Sequence, residues 1–105
     1  MTRKLHLEAR HKTEIERLIK HHLPDVEVWA YGSRTNGGSH EGSDLNLVLR
    51  THDLAPVNYK SYLALKETLT ASSIPILVEI RDWAYLPESF HGEIEKGHIV
   101  FIGEG

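Results

Sequence analysis

Apolar positions set the period of this chain before any motif is visible. Between Glu8 and Leu23 they recur at Ile15, Leu18, Ile19 and Leu23, with Leu7 extending the stripe backwards, which predicts a helix with one buried face. Pro24 ends it. Val26 to Tyr31 is β-branched and aromatic and predicts a strand. Asp44 to Arg50 alternates, with Leu45, Leu47 and Leu49 on one side and Asp44, Asn46 and Val48 on the other. Pro56 precedes a second helix, Asn58 to Ala71, with Asn58 as N-cap and Tyr62, Leu63, Leu65 and Leu69 as its buried side. Pro75 opens a third strand, Ile76 to Arg81, in which Leu77, Glu79 and Arg81 face away from Val78 and Ile80. A third helix, Pro87 to Lys96, stops at Gly97, and a last strand covers His98 to Ile102. This order predicts an α/β (α+β) fold, a small mixed sheet with flanking helices, in one domain over residues 1–105.

Composition narrows the function classes. The chain has no cysteine, which excludes disulfides, thiolate metal sites and thiol nucleophiles and suits a reducing, cytoplasmic setting. Apolar runs such as Ile74 to Val78 fall far short of the roughly 20 residues of a membrane helix. The basic start, MTRKLHLEARHK, lacks the apolar core of a secretory signal. A net charge of -3 argues against an extensive nucleic-acid surface, so any nucleotide would be gripped locally. The eight His residues contain no HExxH or HxxxH pair and read as packing or solvated positions. Trp29 and Trp83, each in or beside an apolar strand, read as packing residues. Along the first helix Arg10, Lys12, Glu14, Glu16, Arg17 and Lys20 mix both signs, as on a solvated face.

Candidate chemistry gathers between the first two strands, in GSRTNGGSHEGSDLN. Gly32, Gly37, Gly38 and Ser39 approximate the P-loop GxxxxGK[ST], but Gly38 stands where the phosphate-binding lysine belongs. A second arrangement fits better: Gly32-Ser33, ten residues from Arg34 to Ser43, then Asp44-Leu45-Asn46. A glycine admits a phosphate close to the backbone, and a serine adds a hydroxyl donor. Two oxygen-bearing side chains at i and i+2 on a strand address the same cation. Glu79, a carboxylate within the third strand, is the remaining candidate.

The run YGSRTNGGSHEGSDLNLVL resembles the GSx10DxD signature of the DNA polymerase β-type nucleotidyltransferases. The order of elements resembles their short branch, the minimal nucleotidyltransferases (MNT). The resemblance implies a palm-like core in which Gly32, Ser33 and Arg34 hold the triphosphate of a nucleotide. Asp44, Asn46 and Glu79 would be the catalytic residues and the ligands of Mg²⁺, or of Mn²⁺, with Glu79 also helping to deprotonate the attacking hydroxyl. ATP would be the substrate. The branch resembles the antitoxin half of a two-protein system. This implies a hetero-oligomer with a helical HEPN-domain partner and transfer of AMP to a tyrosine on it. An aminoglycoside-type transferase fits less well, because those resemble this core with a substrate domain appended.

Two positions depart from the signature. Glu79 replaces an aspartate and is one methylene longer, while Asn46 replaces the second aspartate and removes a charge. Unit charges about 4 Å apart interact by about 4 kcal/mol at an effective dielectric near 20, and a divalent ion doubles this. An amide oxygen still coordinates hard cations. The chain is therefore expected to be an adenylyltransferase or, alternatively, a degenerate one that acts as a nucleotide- or partner-binding module. Glu41, Asp82 or a residue of the partner are the candidates to compensate for Asn46.

Overall fold

The computed structural model describes residues 5, 7–32 and 44–103. Its elements run α1 (Ala9–His22), β1 (Glu27–Tyr31), β2 (Leu45–Arg50), α2 (Tyr59–Ala71), β3 (Val78–Asp82), a 3-10 turn (Trp83–Tyr85), α3 (Glu88–Lys96) and β4 (His98–Ile102). The strands form one mixed sheet in the order β3-β2-β1-β4. β1 is antiparallel to both β2 and β4, whereas β2 and β3 run parallel, joined through α2.

Strand alternation gives the sheet two unlike faces. On one, Val28, Ala30, Leu45, Leu47, Leu49 and Ile80 meet Ile15, Leu18 and Ile19 of α1 and Leu65 and Leu69 of α2. Burying each such aliphatic side chain stabilises the fold by about 1.5–3 kcal/mol before entropy is counted. On the other face Val48, Trp83 and Ile94 form a smaller cluster, with Trp29, Tyr31 and Leu86 packed against it. This face is covered in part by α3 and the turn before it. Val48 is therefore buried despite sharing the face of Asn46.

The second face is held by stacked planar groups. The Arg50 guanidinium lies 3.7 Å from the Trp29 ring centroid and 4.5 Å from that of Trp83, and its Nη1 donates to Glu27 Oε1 at 2.8 Å. His98 stacks on Trp29 at 3.8 Å and His91 on Trp83 at 3.9 Å. His91 Nε2 also lies 2.7 Å from the Trp83 carbonyl and His98 Nδ1 3.0 Å from that of Ile94. Trp29 and Trp83 pack as their setting predicts, and these two histidines tie α3 and β4 to the sheet.

Local signals set most boundaries. Asn58 caps α2 by accepting from Ser61 N–H at 3.0 Å, and Gly97 is the C-cap of α3. Three expectations need correction. Leu63 is 40% exposed, because it sits two residues from Leu65 and so about half a turn off the Tyr62, Leu65, Leu69 line. β3 begins at Val78 rather than Ile76, where pairing with Leu45 starts. Asp82 extends β3 and accepts from Ala84 N–H at 3.1 Å, opening the 3-10 turn that periodicity does not announce.

Candidate functional site

Where β1 ends, β2 begins and β3 runs beside it, the candidate residues converge. Asn46 pairs with Tyr31 of β1 on one side and with Glu79 of β3 on the other. Neighbouring strands lie about 4.8 Å apart, so Tyr31, Asn46 and Glu79 form a row on the face opposite the α1/α2 core. Asp44 is exposed immediately before β2. The start of β2 is fixed by Leu45 N–H donating to the Leu77 carbonyl at 2.9 Å.

Gly32 closes the row at the end of β1. Its φ is +92°, a region that L side chains rarely adopt. A Cβ built there would stand 2.9 Å from Asn46 Nδ2. Both constraints require glycine, and they place bare backbone against the Asn46 amide. Ser33, Arg34 and Glu41 lie outside the described residues.

Glu79 does not stand alone. Arg81, two residues on and on the same face, brings Nη2 to 3.5 Å from Glu79 Oε2, with both side chains about half exposed. Tyr31 is half-buried, and burial pushes its phenol above the ordinary range, with the Arg81 guanidinium pulling the other way. Its ring meets Phe90 of α3 edge-on at 5.7 Å. Beyond Arg81, at the open edge of β3, lies a recess of about 280 Å³ lined by Tyr59, Tyr62, Tyr85 and Leu86 among others. Burial likewise raises the Tyr62 phenol, which donates to the Ile80 carbonyl at 2.9 Å.

Asp82 cannot compensate for Asn46. It is three residues from Glu79 and so on the opposite face, and its oxygens accept from the Val57 and Ala84 N–H groups. The described donor set is thus two carboxylates, Asp44 and Glu79, with the amide oxygen of Asn46 between them. Among the described residues no three His, Cys, Asp or Glu side chains gather as a metal cluster. All three donors are hard oxygens of the kind Mg²⁺ selects, and their two formal charges match one divalent cation. Tyr31 escapes a reading of motifs alone. The signal was its place, in alternation with Trp29, directly before Gly32.

Among the described residues no helix is long and apolar enough to cross a membrane. No family model matches the chain. Solved structures share its fold. A toxin–antitoxin complex with AMP-PNP superposes with a TM-score of 0.71 at 16% identity, covering 88% of this chain and 73% of that one. A tri-AMPylated Shewanella oneidensis HEPN toxin in complex with its MNT antitoxin gives 0.68 at 13% identity, covering 92% and 73%. At the level of sequence, the chain is 33% identical over 86 residues to the probable protein adenylyltransferase MntA of Haemophilus influenzae, spanning 82% of this chain and 74% of the relative. With that identity over most of both chains, and with the same fold, the chain belongs to the MntA family of minimal nucleotidyltransferases.

Proposed function

We propose that this protein transfers AMP from ATP to a tyrosine hydroxyl of a HEPN-type partner, as an antitoxin does. The observation that carries the reading is the row of Tyr31, Asn46 and Glu79 across three strands, with Gly32, directly after β1, held at positive φ against Asn46. The relative's name, protein adenylyltransferase, and the AMPylated HEPN toxin bound by a structural neighbour support the choice of acceptor.

In the reaction the acceptor oxygen attacks the α-phosphorus. A new O–P bond forms, the bond from the α-phosphorus to the bridging oxygen breaks, and pyrophosphate leaves. The bare backbone at Gly32 admits the triphosphate, and Ser33 and Arg34, the next two residues of the sequence, are the side chains assigned to hold it. Asp44, Asn46 and Glu79 are the groups that would hold Mg²⁺, which when bound screens the charge on the phosphates. Glu79, about half exposed, receives the hydroxyl proton on a carboxylate oxygen. Holding acceptor and phosphate together lowers the barrier further, because orientation replaces a chance encounter.

A second reading has its own observation. Asn46 supplies no charge where the signature has a carboxylate, which favours a module that grips nucleotide or partner without turnover. Incubation with ATP labelled at the α-phosphate, Mg²⁺ or Mn²⁺ and a HEPN-type partner encoded beside this chain separates the two. Label on the partner that is lost with Asp44→Ala supports transfer. No label from the native chain, with label gained by Asn46→Asp, establishes the binding module and overturns transfer.

A further inference from the structure

We infer that Arg81 contacts the transferred phosphate of the nucleotide and supplies the positive charge that a second divalent cation would otherwise bring. The inference rests on the nucleotide-binding half of the reading above and extends it to a residue outside the signature.

The argument begins with charge. Two cations held close together need a cluster of carboxylates, whereas here the row offers Asp44 and Glu79 with a neutral amide between them. The charge deficit is on the side of the protein's anions, so the site accommodates fewer cations. A guanidinium is already present on the same face. Arg81 opposes Val48 in the sheet, two register positions along from the Asn46–Glu79 pair, and two residues along a strand span about 6.6 Å. A flexible arginine covers that distance.

What holds Arg81 also leaves it free to move. Among the described residues it holds Glu79 at 3.5 Å with its side chain 51% exposed, a weak ion pair, and it also hydrogen-bonds the Tyr31 phenol. Asp82, which lines the recess, is already engaged with two backbone N–H groups. In the free protein Arg81 therefore rests on Glu79 and on the Tyr31 hydroxyl. When nucleotide and cation arrive, Glu79 turns to the cation and the planar guanidinium turns to phosphate oxygens, which it binds in a two-pronged geometry.

The test measures binding, independent of turnover. AMP-PNP affinity is determined calorimetrically with Mn²⁺ for the native chain, Arg81→Leu, Arg81→Lys and Asp44→Ala, and bound Mn²⁺ is counted by electron paramagnetic resonance. Arg81→Leu is expected to weaken AMP-PNP by about tenfold or more, with a smaller loss for Arg81→Lys. It is also expected to tighten Mn²⁺ in the absence of nucleotide, because Glu79 is released. One Mn²⁺ is expected in the native complex and two in Asn46→Asp/Arg81→Leu. If Asp44→Ala weakens AMP-PNP while both Arg81 variants bind it as the native chain does, the role of Arg81 is overturned and the proposed function stands. Two Mn²⁺ ions in the native complex would overturn it equally. If the native chain binds no AMP-PNP, both readings fall. A thermal melt confirms that each variant is folded.

Discussion

Replacing Gly32 by alanine tests the geometry on which the site depends. Two costs arise from separate features. A residue with a side chain at φ +92° is held in a sparsely populated region, which costs about 1–3 kcal/mol. The new methyl would also stand 2.9 Å from Asn46 Nδ2, so Asn46 must leave its preferred rotamer at about 0.5–1.5 kcal/mol. Alanine restricts the unfolded chain more than glycine, which offsets about 0.4–1 kcal/mol. The net loss is about 2 kcal/mol, equivalent to a fall in Tm of about 8 °C for a domain of this size. Urea unfolding of Gly32→Ala, Asn46→Ala and the double variant measures both parts. The double variant should recover about 1 kcal/mol of coupling, because the clash disappears while the backbone cost stays. A Gly32→Ala chain within about 0.5 kcal/mol of native, the range of ordinary surface substitutions, would refute the positive φ and with it the close approach of backbone to Asn46.

Two further outcomes are expected. Arg50→Met removes a guanidinium held between Trp29 and Trp83 and leaves the part-buried Glu27 without its cation; a loss of about 2 kcal/mol is expected in thermal unfolding, since the pair is mostly shielded from solvent. Tyr31 titrates above its ordinary value because burial disfavours the phenolate. The native state then holds its proton where the unfolded chain releases it, so this contribution is complete below about pH 10 and declines as pH rises through the folded value. Tyr31→Phe should flatten that alkaline decline in unfolding free energy, and an unchanged decline would refute the assignment.

Much of the fold was legible in the periodicities. The α1, α2 and β2 stripes rest on bonds within a few residues of each other, so the pattern Leu45, Leu47, Leu49 identifies a buried face wherever the strand pairs. Asn58 and Gly97 mark helix ends for equally local reasons. Leu63 misled because an apolar residue on a helix is not thereby on its inner face. The 3-10 turn was invisible because it depends on Asp82 capping, an option the chain takes only where β3 stops pairing. In the site, Asp44 and Asn46 were legible as neighbours because they are two residues apart. That Arg81 shares a face with Glu79 was legible for the same reason, since the two are also two residues apart.

By itself, then, the sequence determined which side chains share a face, where glycine and proline interrupt the chain, and which residues carry oxygen donors. Backbone geometry repeats over a few residues, and this is enough to order those features. The tertiary structure alone decided that Asn46 lies beside Glu79, 33 positions away along the chain. It alone set Gly32 against Asn46, stacked Arg50 between two tryptophans, and joined Asp82 to the Val57 N–H. Register between distant strands follows from how whole faces pack and pair at once, and no local period encodes it.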